Sequence, residues 1–290
     1  GNTSMKNWLI VAILVVLAAG AYFYFSGSRQ AEPPAVVSSS LPDRQPQPEP
    51  EPEPSPEVTA PEPEPDDTEQ SVLEAPPVPA VDEIPLPMLS DSDPVVLENL
   101  GEMVGEPAVI RYVVSDNVIS RIVATVDTLG SRQIPGVVQA VNGPATNFAA
   151  SPLEQPDQII RNEEGDEIPQ FIINPANYER YTPYVELFEA VDASDWVQAY
   201  RDYYPLFLEA YRQMGYSEGN FNDRLMVIVD ELLATPVVPD PVELMKPEAY
   251  YLFTDEKLEA LTAGQKIMLR MGSENAERVK DKLREIRALL

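Results

Sequence analysis

Three kinds of hydrophobic patterning follow one another along the 290-residue chain. Residues 8–25, WLIVAILVVLAAGAYFYF, form one uncharged apolar run. Residues 26–85 contain almost no apolar run and are dense in proline and acidic residues. From residue 86 onward, apolar residues recur mostly at the three- and four-residue spacings of helices that pack on a core. The pattern predicts an anchor, a spacer and a mainly α-helical globular domain over residues 86–290.

The apolar run has the length of a transmembrane helix. It would extend about 27 Å as a helix, close to the ~30 Å hydrocarbon core of a bilayer. Trp8 at one end and Tyr22 and Tyr24 at the other match interfacial aromatic belts. A cleaved signal peptide is the alternative, because LAAGA offers small residues for cleavage. The aromatic residues beyond that site favour an uncleaved signal-anchor.

The charges beside this run favour one orientation slightly. Lys6 precedes the run and Arg29 follows it, so the positive-inside rule leans towards a cytoplasmic amino terminus. Residues 1–7 would then lie in the cytoplasm and residues 86–290 in the periplasm of a double-membraned bacterium. We expect a single-pass protein of the inner membrane.

The spacer is too polar and proline-rich to fold compactly. Residues 45–65 read QPQPEPEPEPSPEVTAPEPEP, and such alternation favours an extended, disordered polyproline II chain. At about 3.1 Å per residue, 56 residues of the spacer would reach roughly 170 Å if fully extended. The alternatives are a flexible tether without a selected length and a proline-rich ligand for a partner.

Composition excludes several kinds of chemistry. The chain has no cysteine and no histidine, so thiolate and imidazole catalysis and zinc ligation by these residues are excluded. We predict no cofactor and no metal. The net charge is -28, and residues 86–290 alone carry 34 acidic against 17 basic residues, a balance of -17. Such a surface repels phosphate backbones, so nucleic acid is not an expected partner.

Helix-capping residues, prolines and glycines divide the globular region into predicted helices and strands. Helices are expected from Asp93 as N-cap, from Asn174 and from Ser194 as N-cap. FNDRLMVIVDELLA is apolar on every side, which predicts a central helix. QIIRNEEGDEIPQFIIN predicts a small β-hairpin insertion around Gly165. The final helix should begin at Ser273 and dock through a narrow apolar seam: Ala276, Val279, Leu283, Ile286 and Leu290.

Three longer motifs carry a family resemblance. They are NYERYTPYVELFEAVD, then YYPLFLEAYRQMGY with GNFNDRLMVIVDELLATP, and finally LEALTAGQKIMLRMGSENAERVKDKLREIR. In order and length they resemble the family called domain of unknown function 3014, over roughly residues 84–290. The resemblance implies a membrane-anchored envelope protein of Gram-negative bacteria with no established activity. Glu231 stands where that family often has histidine, which argues against an essential histidine there.

Tyrosines and two bases are the candidate binding residues. Ten of 13 tyrosines lie between Tyr178 and Tyr251, and those on helical stripes, including Tyr178, Tyr181 and Tyr204, could stack on sugars or prolines. Core packing is the alternative. Lys266 and Arg270 share a helical face near a helix start that Thr262 would cap, which suggests an anion-binding corner. Ion pairing to the acidic remainder is the alternative.

Carboxylates supply the other candidates. Asp230 interrupts LMVIVDELL, where burial would raise its pKa, and a second acid such as Glu186 or Asp223 could complete a glycan-cleaving pair. The alternative is a structural ion pair with one of three bases: Arg180, Arg201 or Arg224. The acidic turn after Arg161 could collect calcium but lacks EF-hand spacing, which favours a solvated hairpin tip.

Three functional hypotheses remain open. The preferred one is a non-enzymatic binding module, held away from the membrane, whose partner is an envelope protein or peptidoglycan. The rival is an enzyme that acts on cell-wall glycan or peptide through Asp230. A third is a chaperone-like holder that binds passing envelope proteins weakly and broadly.

Overall fold

A computed structural model describes residues 86–132, 140, 142–143 and 147–290. The predicted cytoplasmic segment, anchor and spacer lie outside these described residues. Among the helices in the described ranges, none combines the length and the hydrophobicity that a membrane crossing requires. The predicted helical globular domain with a small β element is confirmed in outline.

Three helices open the domain. After a 3-10 turn at Leu89–Asp91 come α1 (Asp93–Val104), α2 (Glu106–Tyr112) and α3 (Val118–Leu129). Asp93 is not the N-cap of α1, because Ser92 holds that position. The Asp93 carboxylate instead accepts hydrogen bonds from the backbone N–H groups of Asn117 at 2.7 Å and Val118 at 2.8 Å. It therefore satisfies the open donors at the start of α3 rather than those of its own helix.

The β element is a four-stranded antiparallel sheet rather than a hairpin alone. Its strands pair in chain order: β1 (Ala150–Pro152), β2 (Gln170–Ile173), β3 (Glu243–Met245) and β4 (Leu252–Phe253). At the predicted hairpin, only an isolated bridge joins Arg161 to Glu167. The segment after it becomes β2, which pairs with β3 from more than 70 residues further along. Such long-range pairing leaves no local signal in the sequence.

Two long helices follow the second strand. They are α4 (Ala176–Glu189) and α5 (Ala193–Gln213), and Asp192, not Ser194, is the N-cap of α5. The internal prolines Pro183 and Pro205 divide neither helix. Both prolines are exposed, so the hydrogen bonds they interrupt face the solvent, where water can satisfy the freed carbonyls.

The remaining helices close the core. They are α6 (Phe221–Leu233), α7 (Glu256–Glu259), α8 (Ala263–Arg270) and α9 (Ser273–Leu289). The predicted start of α9 is confirmed, and its seam residues Val279, Leu283 and Ile286 are buried against α4, α5, α6 and α8. Helix α6 is not buried on every side, because the side chain of Val227 is 48% exposed. It is an amphipathic helix whose outer face includes the exposed residues Val227 and Asp230.

Candidate functional site

Three of the predicted binding residues lie inside the domain. The Tyr181 ring is fully buried, and burial raises the pKa of its phenol. Lys266 is buried and its ammonium lies 2.5 Å from a Glu259 carboxylate oxygen. Arg270 is buried and donates to the Tyr251 carbonyl oxygen at 3.0 Å. These side chains hold the fold together and do not form an exposed surface.

The predicted anion-binding corner at the start of α8 is closed. Thr262 is the N-cap, as predicted, and Gln265 completes a capping box with it. The Gln265 side chain also donates to the Glu231 carbonyl oxygen at 2.9 Å. Because protein groups occupy this helix start and both Lys266 and Arg270 are buried, the structure does not support an anion-binding corner here.

Asp230 is exposed, so the predicted buried acid is wrong. Its carboxylate lies 2.9 Å from the Arg287 guanidinium, and more than half of its side chain is accessible. None of the three bases expected to pair with it does so; Arg224, for example, lies 2.7 Å from Asp127. On the outer face of α6, an acid inside an apolar sequence run need not be buried.

Tyr204 has a structural contact. Its hydroxyl donates to the Asn220 side-chain oxygen at 2.6 Å, and its ring meets Tyr200 edge-on at 5.5 Å. Asn220 is the N-cap of α6, where the same oxygen accepts from the Asn222 N–H at 2.9 Å. Tyr204 therefore braces the start of α6 against α5.

Tyr178 is the predicted binding residue that borders a concavity. Its hydroxyl donates to Asp240 at 2.6 Å. Burial, and next the hydrogen bond to Asp240, raise the pKa of this phenol well above its ordinary range. The ring packs on Gly272, where an added Cβ would lie 2.7 Å from it. Gly272 has φ +87°, so glycine is required both for this backbone and for the ring.

The concavity beside Tyr178, here called the Tyr178 groove, is a shallow depression that opens to solvent and has a cavity volume of about 20 Å³. Helix α4 contributes Tyr178, the loop after α6 contributes one wall, and α8 with the start of α9 contributes the other. Its lining residues are Tyr178, Thr235, Pro236, Val237, Val238, Asp240, Val242, Met268, Leu269, Gly272, Ser273, Ala276, Glu277 and Lys280.

Charge in the Tyr178 groove is unevenly compensated. Lys280 lies 3.0 Å from Glu277 and donates to the Thr235 carbonyl oxygen at 2.8 Å, so the charges of Lys280 and Glu277 balance. Asp240 is exposed and accepts from the neutral Tyr178 phenol. In the part of the chain that the structure describes, Asp240 forms no ion pair. The groove therefore presents one uncompensated carboxylate.

The apolar side of the groove is presented by the loop at 236–242. Val238 packs against the smaller apolar cluster under the sheet, whereas the Val237 side chain next to it is 69% exposed. The groove thus combines an exposed aliphatic side chain with a fixed acceptor. That combination is suited to binding, since a few placed polar groups among apolar walls give orientation and contact area.

Sequence reasoning missed most of this groove. Asp240, Val237 and Lys280 were not candidates, and the only local signal was the proline-rich character of the segment PVVPDP. Valines between prolines cannot pair as an ordinary strand or enter a helix, and such a segment is a candidate for exposed contact.

Comparison with known families agrees with the motifs. The model of the family described as protein of unknown function (DUF3014) matches residues 118–287, which include every residue that lines the Tyr178 groove. The match spans more than half of the chain. No curated protein and no solved structure matches the chain significantly. The resemblance predicted from the motifs is confirmed, and the chain belongs to the DUF3014 family of proteins of unknown function.

Proposed function

We propose that this chain is a membrane-anchored envelope protein whose helical domain binds a partner protein, without catalysis, at the Tyr178 groove. The observation that carries the proposal is the groove itself. It places the exposed Val237 side chain and the uncompensated Asp240 carboxylate, three residues apart in the chain, at one concavity. The other predicted binding residues have structural contacts instead.

The amino-terminal sequence supports the anchored part of the proposal. Residues 8–25 have the length and hydrophobicity of one membrane span, and residues 26–85 have the composition of an extended tether. A tether raises the local concentration of a binding domain near partners at a suitable distance. In this proposal the domain works in the periplasm, within reach of the inner membrane.

The position of Asp230 weighs against the enzyme hypothesis in its original form. That hypothesis required a buried acid beside a second carboxylate. Asp230 is exposed on α6 and paired with Arg287 of α9. It does not line the Tyr178 groove.

Photocrosslinking in intact cells that produce the protein tests the proposal. A photoreactive amino acid would replace Val237 or Ser273, both of which are exposed and line the groove. The matched control is Ile110, which is 73% exposed on α2 and outside the groove. We expect one dominant protein adduct from the two groove positions and none of that size from Ile110. Equal, diffuse labelling from all three positions would contradict a dedicated binding site.

Shortening the spacer tests the role of reach. A chain that keeps residues 1–29 and 86–290 retains the predicted anchor and the groove. We expect this chain to lose the groove adduct if the partner lies away from the membrane. An unchanged adduct would show that the length of the spacer is not needed for the domain to reach its partner.

A further inference from the structure

We infer that the Tyr178 groove takes an extended basic peptide segment, with a lysine or arginine side chain at Asp240 and an aliphatic side chain against Val237. This inference rests on the proposed function, because it names the chemistry of the partner at the same groove. It follows from the charge, the orientation and the apolar surroundings of Asp240.

The orientation of Asp240 is fixed before a ligand binds. One carboxylate oxygen accepts from the Tyr178 hydroxyl at 2.6 Å, and Tyr178 is itself wedged against Gly272. A carboxylate that is already held in place loses less conformational entropy when it binds. The phenol is neutral and compensates none of the negative charge, so the second oxygen can accept from a cationic donor.

The other charged groups in the groove favour a cationic over an anionic ligand group beside Asp240. Lys280 is the groove's basic residue, and it is already bound to Glu277 and to the Thr235 carbonyl oxygen. Glu277 also lies 3.7 Å from Arg284 outside the groove. An incoming carboxylate or phosphate would therefore meet Asp240 without a free base to offset the repulsion.

The surrounding surface extends this preference over a longer range. Residues 86–290 carry 34 acidic and 17 basic residues. A net charge of -17 attracts basic segments and repels acidic ones, and it increases the rate of encounter with basic partners at low ionic strength. The chain's own spacer is acidic and is therefore a poor occupant of the groove.

The apolar requirement comes from the loop at 236–242. Val237 is exposed, whereas its neighbour Val238 packs in the apolar cluster under the sheet. Because Val238 holds the loop in place, the position of Val237 is restricted as well. Pro236 is exposed and Val238 is half-buried beside it, whereas Met268, Leu269 and Val242 line the groove but are buried. Burial of one aliphatic side chain against Val237 and Pro236 would add binding free energy, and an extended peptide places alternate side chains on one side.

Binding of labelled peptides to the purified full-length chain tests the inference. The probes are three fluorescent peptides of equal length in which valine alternates with lysine, glutamine or glutamate. We expect the lysine–valine peptide to bind most tightly and the glutamate–valine peptide not to bind. Asp240→Asn keeps a hydrogen-bond acceptor for Tyr178. It should lower the affinity for the lysine–valine peptide by about tenfold or more, as expected for loss of a charge-assisted hydrogen bond.

Two further variants separate the groove from the acidic surface. Asp157→Asn removes the same charge at an exposed position outside the groove and should change the affinity less than about twofold, the size of a screened surface effect. Val237→Lys places a cation at the groove and should lower the affinity for the same lysine–valine peptide, because the two cations repel each other. If Asp157→Asn and Asp240→Asn reduce binding equally, the peptide binds the acidic surface in general and the inference is wrong.

The two proposals fail in different ways. If crosslinks from Val237 appear in cells but the captured contact segment is neutral or acidic, the binding proposal stands and the basic-ligand inference is overturned. If no groove-specific adduct forms in cells, the proposed function itself is contradicted. Tighter binding of the glutamine–valine peptide than of the lysine–valine peptide would overturn the inference directly.

Discussion

The Tyr178 hydroxyl lies 2.6 Å from the Asp240 carboxylate across 62 residues of sequence. This bond joins helix α4 to the proline-rich loop after α6, next to the start of α9. It fixes the acid that gives the groove its charge. Because the same tyrosine packs on Gly272, the shape of the groove and the orientation of its acid depend on one ring.

Replacement of Gly272 by alanine should disturb that ring. The residue has φ +87°, and the new Cβ would lie 2.7 Å from the Tyr178 ring. We expect Gly272→Ala to lower the free energy of unfolding by roughly 2–4 kcal/mol, from backbone strain plus the clash. Urea denaturation measures this change.

Gly165→Ala is the matched control for Gly272→Ala. Gly165 also has a positive φ, +91°, but an added Cβ there would meet nothing within 4 Å. It should report backbone strain alone, about 1–2 kcal/mol. If the two variants lose equal stability, the Tyr178 ring does not depend on Gly272.

Asp230→Asn should leave the domain folded and nearly as stable as the wild type. Asp230 and Arg287 form an exposed ion pair, and such pairs contribute little to the free energy of unfolding because solvent screens them. Arg287→Gln should have a similarly small effect. A loss above about 3 kcal/mol from either change, measured by chemical denaturation, would instead indicate a buried charge network.

Helix α9 should be essential to the core. Leu283 is fully buried, so Leu283→Ala should cost about 2–5 kcal/mol through lost contacts and a cavity. Leu289 on the same helix is 42% exposed, and Leu289→Ala should cost under about 1 kcal/mol. Thermal unfolding of both variants would show the difference; equal shifts would mean that α9 is not docked through its predicted seam.

Alkaline pH should destabilise the domain through its buried tyrosines. Burial raises the pKa of Tyr184 and of Tyr200 above the ordinary value of 10.0. The unfolded chain then releases protons that the folded chain keeps, so the free energy of unfolding should fall as pH rises above about 10. Stability should be unaffected by these groups below that pH. Denaturation measured at increasing pH, with tyrosinate absorbance as a second probe, tests this; a stability that stays constant well above pH 10 would contradict it.

The helical part of the fold could be predicted because its signals are local. The seam on α9 and the Thr262 cap are visible in short stretches of sequence, and the structure confirms both. The sheet could not be predicted in the same way, because β2 pairs with β3 across the whole of α4, α5 and α6. The role of Asp93 shows the same limit: its partners belong to a different helix.

The candidate site was harder to predict because it depends on which face each residue occupies. Asp230 lies within an apolar run, yet the helical turn places it on the outer side of α6. Lys266 has the charge expected of a binding residue, yet Glu259 holds it inside the domain. Tyr178 was a candidate, but its partner Asp240 becomes visible only when α4 and the loop at 236–242 are brought together.

The yield of the Val237 photocrosslink in intact cells, compared between the wild-type chain and Asp240→Asn, is the decisive test of binding at the Tyr178 groove. We expect a dominant protein adduct in the wild type and a loss of most of it in Asp240→Asn, while Asp157→Asn retains it. An adduct that persists unchanged in Asp240→Asn, or that forms as strongly from Ile110, would contradict the claim that the Tyr178 groove is the binding site.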